Sequence, residues 1–335
     1  MIILGIESSC DDTSAAILED GKILSVVTHT QNEHIEFGGI IPEIASRAHL
    51  KYITPIIEQA LKESRKSLED IDAIGVTHGP GLVGPLLVGV NTAKGLSYSL
   101  KKPLIPVNHI EAHIFANFIE HDKEISTPFV VLVVSGGHTE LIYVKELGHY
   151  ELIGKTRDDA AGECIDKVSK MMGLGFPGGK IIDELASKGD VKFHRFPRGM
   201  SGSFDFSFSG LKTSVKVFLE KHDQEFLKTN INNIAASFLD SVTDSLTDKL
   251  IKAAQNYNCD TILLAGGVSA NSMLRDKLDK RVKSYKMKLF YPSPKYCTDN
   301  AAMVAMTAYK KIQVQQFSQE NNLDVEAIPF LRLSE

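Results

Sequence analysis

No CxxC pair occurs anywhere in the chain, and its four cysteines, Cys10, Cys164, Cys259 and Cys297, stand far apart. That spacing argues against a disulfide framework and a cysteine zinc site. It fits reduced thiols in a cytosol, so a cytoplasmic location is expected. Basic residues are not in excess either. With 37 Lys and Arg against 42 Asp and Glu, the formal net charge is -5, so any nucleic acid must be met by a local patch. Long hydrophobic runs are missing as well. The apolar stretch 1–6 stops at Glu7 with no basic leader before it, too short for a signal peptide, and no window approaches a membrane span.

What is present is an ordinary globular chain of 335 residues, 43% hydrophobic. That length exceeds what one core usually supports and predicts two lobes. The opening, MIILGIESSCDDTSAAILEDGKILSVV, reads as a three-stranded meander broken at a Ser/Asp turn and at Asp20-Gly21. Positions 42–66 carry Ile44, Leu50, Ile53, Ile56, Ile57, Ala60 and Leu61 at helical spacing. IDAIGVTHGPG then forms a short buried strand ending in glycines, and 86–100 a second helix. PFVVLVVSGGHTELIYV repeats the opening pattern, which predicts a duplicated architecture whose turns face a shared cleft. Beyond Asp158 the chain is mostly helical, interrupted by the loops GLGFPGGK and FDFSFSGLK. TILLAGGVSANSMLRDKL supplies a last strand, turn and helix. The expected lobes are 1–128, completed by a C-terminal helix over 300–335, and 129–299.

Three Ser/Gly turns, at 8–13, 135–139 and 266–271, each follow an apolar strand, as phosphate-cradling turns do. Ser8, Ser9, Gly266 and Gly267 are their key members. Three in series favour a nucleotide cleft over ordinary hairpins. His109 and His113, four apart in VNHIEAHIFANFI, share one helical face and can hold one metal ion. A zinc peptidase would place glutamate directly after the first histidine. Here that position is Ile110, and the acid, Glu111, points away. A third ligand must come from elsewhere, and Asp299 in CTDNAAMVA qualifies, unless it merely caps the helix that follows. Asp11 and Asp12 are paired acids suited to general-base work or to handling a metal's water, although turns favour Asp in any case. Asp166 and Asp183, beside glycine-rich loops, could hold sugar hydroxyls or be solvated helix acids. The segment 275–288 holds seven basic residues against two acids and suits either phosphate contact or a solvated face. HRFPRG adds two arginines in a loop.

The motifs GIESSCDDT, THGPGLVGPLLVG, KGLSYSLKKPLIPVNHIEAH, VVSGGHTEL, DDAAGECIDKVSKMMGLGFPGG, FDFSFSGLKT and LAGGVSANSMLR occur in order along essentially the whole chain. Together they resemble the bacterial tRNA threonylcarbamoyladenosine transferases, TsaD, formerly called O-sialoglycoprotein endopeptidases. The resemblance implies an α/β, actin/hexokinase/Hsp70-like (ASKHA) two-lobe fold with a central nucleotide cleft. It implies a metal ion on His109, His113 and Asp299; that two-histidine, one-carboxylate set suits iron, zinc or manganese, and one divalent ion per subunit, Fe2+ or Zn2+ by preference, is expected. It implies an adenylate site lined by Val133, Val134, Ser135, Gly136, Gly137, Asp166, Gly179, Asp183 and Asn271. The implied reaction moves threonylcarbamoyl from threonylcarbamoyl-AMP, made by an upstream synthase, to N6 of adenosine 37 in tRNAs reading codons that begin with A. Implied partners are the tRNA anticodon stem-loop, a paralogous TsaB-like subunit docking on the N-terminal lobe, and a TsaE-like ATPase, with no membrane. The adenine amine is a weak nucleophile because its lone pair is delocalised into the ring, so a base should help, and Asp11 is the candidate. The competing readings are a small-molecule kinase or ATPase of the same fold, a metallopeptidase, and a silent scaffold.

Overall fold

The computed structural model describes residues 1–314 and 323–333. The chain forms two compact units, Met1–Glu124 with Pro294–Glu335, and Ile125–Ser293. The second unit therefore begins at residue 125 rather than 129 and ends at 293 rather than 299, so Asp299 belongs to the first.

In the first unit, β1 (Ile2–Glu7), β2 (Asp12–Glu19) and β3 (Lys22–Thr30) form the expected antiparallel meander. β4 (Ala73–Gly79) and β5 (Leu104–Asn108) extend it in parallel, giving the order β3-β2-β1-β4-β5. β1 reads as a nearly continuous apolar run because helices cover both faces of the sheet. Leu4, Ile6, Ala15 and Ile17 pack with Ile53, Ile57, Val90 and Ala93 from the helices Pro42–Ser64 and Val83–Leu100. On the opposite face, Ala16 packs with Ala301 and Ala302 of the helix Ala301–Gln313. That helix lies so close to the sheet that a Cβ at Gly5 would stand 2.4 Å from the Ala301 carbonyl oxygen, which only glycine accommodates.

The expected helix at 86–100 starts earlier, at Val83. The helix expected over 300–335 is shorter than predicted. It spans Ala301–Gln313, and 323–333 carry neither helix nor strand; 315–322 and 334–335 lie outside the described residues. The final described segment is tied down instead by main-chain bonds: Ile328 N–H donates to His78 O at 2.7 Å and Gly81 N–H to Pro329 O at 3.1 Å.

The second unit repeats the plan. β6 (Phe129–Val134), β7 (Thr139–Glu146) and β8 (His149–Lys155) form a meander, and β9 (Thr261–Ala265) and β10 (Lys288–Phe290) add in parallel, giving β10-β9-β6-β7-β8. This is the first sheet's order strand for strand, and it is the duplication that the two strand-turn-strand patterns foreshadow. β6 and β9 run side by side, with Val133 opposite Ala265, so the turns that follow them leave the same sheet edge. The two turns press together there. Gly266 has φ +85°, and a Cβ on it would fall 2.4 Å from the Val134 carbonyl oxygen. Gly266→Ala is therefore expected to lower stability by about 2–3 kcal/mol, seen as a lower denaturant midpoint at unchanged slope.

Candidate metal centre and nucleotide site

The first unit's site begins with a helix cap. Asn108 ends β5, and its side-chain oxygen accepts from Ile110 N–H at 2.9 Å and Glu111 N–H at 3.3 Å, which starts the helix His109–Phe115 at His109. The two histidines stand on one face with ring centroids 4.7 Å apart. Their Nε2 atoms lie 3.6 Å (His109) and 3.2 Å (His113) from Asp299 Oδ1. One ligand atom from each of the three residues lies within 4.8 Å of the others. The capping role that Asp299 might have had falls to Asn300, whose side chain accepts from Met303 N–H at 3.1 Å.

Glu7 stands behind His109. It is wholly buried, its Oε2 lies 3.4 Å from His109 Nδ1, and its oxygens accept from Thr77 Oγ1 and Ser9 N–H, both at 2.6 Å. Ser9 Oγ reaches the same Nδ1 at 3.2 Å. A carboxylate behind a histidine whose other nitrogen faces the ligand cluster is the usual outer shell of a metal site. Burial by itself would lower the His109 pKa, but Asp299 and Glu7 outweigh it and push it to about 9. The same negative field favours a divalent cation. His113 differs: its side chain is buried, its Nδ1 has no hydrogen-bond partner among the described residues, and its Nε2 faces Asp299 Oδ1 at 3.2 Å. The Nε2 contact to Asp299 is not a hydrogen bond, and coordination would give that nitrogen a partner. The donor set fits one divalent ion. Glu7→Gln is expected to weaken metal binding by about 10–100-fold, measured by competition with a chelator of known affinity.

Glu111 is buried and engaged by Lys311, whose Nζ lies 2.8 Å from Oε2, so it does not serve as a peptidase base beside the histidines. Ser8 and Ser9 are buried as well. Ser8 Oγ donates to Pro85 O at 3.0 Å and Ser9 Oγ meets His109, so these hydroxyls brace the site's interior. Asp11 and Asp12 follow in the same turn. The Asp11 carboxyl is raised above its ordinary pKa by burial and by the charge of Asp299. Burial lifts Asp12 to about 7, although Thr30 Oγ1 donates to it.

In the second unit, Val133 and Val134 are entirely buried in β6, leaving the turn after them to offer backbone and Ser135. Gly136 and Gly137 are exposed, with open space where a Cβ would stand. Gly162, at the start of the helix Ala161–Met171, donates to Ser135 O at 3.2 Å. Asp166 on that helix accepts from Gly178 N–H at 2.7 Å, next to Gly179, where the helix Gly179–Ala186 begins. Burial raises the Asp166 pKa. Asp183 accepts from Asn271 Nδ2, Ser272 N–H and Ser272 Oγ, all at 2.9 Å. Asn271 in turn caps the helix Ser272–Tyr285 through Leu274 N–H. The turns after β6 and β9, the two aspartates and Asn271 therefore belong to one connected arrangement. Ser272, which sequence reasoning did not single out, is part of it.

The basic segment is partly neutralised. Arg275 donates to Ser269 O and Pro292 O, Lys277 to Asp240 and Asp244, and Arg281 to Asp248. Arg198 of HRFPRG also pairs with Asp240 and Asp244. Any phosphate contact along 275–288 thus narrows to Lys280, Lys283, Lys286 and Lys288. Among the described residues no helix is long and apolar enough to cross a membrane.

Twice-repeated mixed sheets of this order, with helices on their faces, define an α/β protein of the actin/hexokinase-like (ASKHA) class. A solved full-length HypF in its phosphate- and nucleotide-bound form matches with TM-score 0.64 at 15% identity, over 95% of this chain and 56% of that one. Component A of the Acidaminococcus fermentans (R)-2-hydroxyglutaryl-CoA dehydratase matches with TM-score 0.56 at 16% identity, over 93% and 99%. Residues 22–306 match TsaD, the tRNA N6-adenosine threonylcarbamoyltransferases, and the chain belongs to that family. The enzyme of that name from Fusobacterium nucleatum is 49% identical over all of this chain and 99% of its own length. Those of Thermosipho africanus (49%, over 99% of this chain and 100% of its own) and Kosmotoga olearia (47%, 99% of each) agree. The activity is that of an acyltransferase in tRNA modification, forming threonylcarbamoyladenosine. The kinase and peptidase alternatives are not favoured.

Proposed function

We propose that the donor is threonylcarbamoyl-AMP from an upstream synthase, that the acceptor is N6 of adenosine 37 in tRNAs reading codons that begin with A, and that AMP leaves. The observation that carries this reading is the His109–His113–Asp299 cluster, whose three donor atoms lie within 4.8 Å of one another. His109, His113 and Asp299 would hold a divalent ion, iron or zinc by donor type, and the chemistry it would supply is positive charge that stabilises a developing anion. The donor is a mixed anhydride and already activated, so the protein's work is to orient it, stabilise the departing phosphate and accept a proton.

We assign the first task to the second unit. The exposed backbone at Gly136 and Gly137 and the Gly266–Gly267 turn suit a phosphate, and Asp166, Gly179, Asp183 and Asn271 suit the nucleoside. Asp11 is assigned as proton acceptor for the N6 amine, since burial and the charge of Asp299 raise its proton affinity. A TsaB-like subunit on the first unit's helices, a TsaE-like ATPase, a tRNA anticodon stem-loop and a cytoplasmic setting complete the proposal.

The test is transfer of label from [14C]threonine, through synthase-made adenylate, to unmodified tRNA that decodes ANN codons, with and without the partner proteins. Label in N6-modified adenosine is the expected result. No label with every partner present overturns the reading.

A further inference from the structure

Asp11 ends the turn between β1 and β2 and Asp12 opens β2, and one side chain from outside meets the chain on either side of the two acids. His49, on the helix Pro42–Ser64, is wholly buried. Its Nε2 lies 3.0 Å from the Cys10 carbonyl oxygen and its Nδ1 2.7 Å from Thr13 Oγ1. A carbonyl only accepts, so Nε2 must carry the hydrogen. Nδ1 is then the acceptor, and the Thr13 hydroxyl donates to it. The two bonds together select one neutral tautomer of His49, and they straddle Asp11 and Asp12. Burial lowers the His49 pKa, which keeps the ring in that neutral form.

Other contacts hold the same stretch: Leu82 N–H donates to Ser9 O at 2.8 Å, Gln31 N–H to Asp11 O at 3.1 Å, Thr30 Oγ1 donates to Asp12, and Asp12 and Thr13 pair with Thr30 and His29 of β3. Each of these holds Asp11 or one side of it, and none of them joins Cys10 to Thr13. His49 does, and it stands on a helix of 23 residues packed against the sheet, a rigid support.

We infer that His49 is a positioning residue, which acts by fixing the Cys10–Thr13 turn so that the Asp11 carboxylate stays where the amine proton must go. The inference rests on the assignment of Asp11 as proton acceptor. A buried histidine that only filled the core would influence stability without acting through Asp11, and the two roles separate in a double-mutant cycle.

The experiment measures single-turnover transfer to tRNA with the full partner set, for wild type, His49→Ala, His49→Gln, Thr13→Val, Asp11→Asn and the Asp11→Asn/His49→Ala pair. His49→Ala is expected to lower the transfer rate about 10–100-fold, with the donor concentration for half-saturation changed less than about 2-fold. His49→Gln keeps an N–H for the Cys10 carbonyl and should recover part of the rate. In the Asp11→Asn background, His49→Ala should cost less than about 3-fold more. Should His49→Ala fail to fold, His49→Gln and Thr13→Val replace it in the cycle, each expected to fall between wild type and Asp11→Asn. Additive losses, or a full rate in a folded His49 variant, overturn the inference while leaving the Asp11 assignment intact. A full rate in Asp11→Asn alone overturns that assignment and the inference with it.

Discussion

His113→Ala should reduce bound metal from about one ion per chain to a tenth or less, and weaken affinity by more than about 100-fold, beyond the loss expected for an outer-shell partner. Three donors close together make the site, and no fourth histidine, cysteine or acid joins the group among the described residues. Metal content by atomic emission after passage through a chelator reads the result directly, and transfer to tRNA should fall in parallel. The buried His113 Nδ1, which has no hydrogen-bond partner among the described residues, adds a second signature. In chelated protein, His113→Leu removes that nitrogen together with the Nε2 contact to Asp299 Oδ1, so its denaturant midpoint should stay close to that of chelated wild type. With metal present wild type should be the more stable, because only it gains binding energy. Retention of a full metal complement by His113→Ala would rule out this ligand set.

The second large effect concerns Asp11. Asp11→Asn keeps the shape and removes the proton acceptor, and the transfer rate is expected to fall about 10²–10⁴-fold with adenylate binding retained. The sign of the pH dependence follows from the raised pKa. A base works when deprotonated, so the wild-type rate should climb with pH through a midpoint higher than that of an ordinary aspartate and then level off. The residual rate of Asp11→Asn should lack that limb. Equilibrium binding of a non-transferable adenylate analogue separates loss of chemistry from loss of binding, and a variant that binds no analogue would speak against the assignment.

How much of this was readable beforehand varied with how local the cause was. The meanders, the repeated strand-turn-strand pattern and the His109–His113 pair were legible because periods of two and four residues project directly onto strand and helix faces. Asp299 was legible only as one of two possibilities, since a carboxylate before an apolar helix is equally a cap. The cap proves to be Asn300, one residue later. Glu7 was missed as a functional residue. In sequence it merely ends an apolar strand, and its role appears only when Thr77, 70 residues on, and His109, 102 residues on, fold against it. A charged residue closing a buried strand was the available signal. Ser8 and Ser9 read as phosphate-facing hydroxyls, but the close approach of the helix Val83–Leu100 turns Ser8 inward, where a Cβ on Gly89 would stand 2.3 Å from its Oγ. Asp183 and Asn271, 88 residues apart, could be placed in one site by resemblance, while their direct bond needed the fold.

The first unit is discontinuous, and this orders events during synthesis. Ile125–Ser293 is one unbroken stretch and can complete its own core as soon as it leaves the ribosome. The first unit cannot, because one face of its sheet waits for the helix Ala301–Gln313, against which Gly5 is shaped. Until that helix emerges, His109 and His113 lack Asp299, and the proposed metal site has only two of its three donors. Metal capture at that site would then fall among the last steps of maturation, and a nascent chain stalled before residue 299 would display a finished second unit without the three-donor cluster.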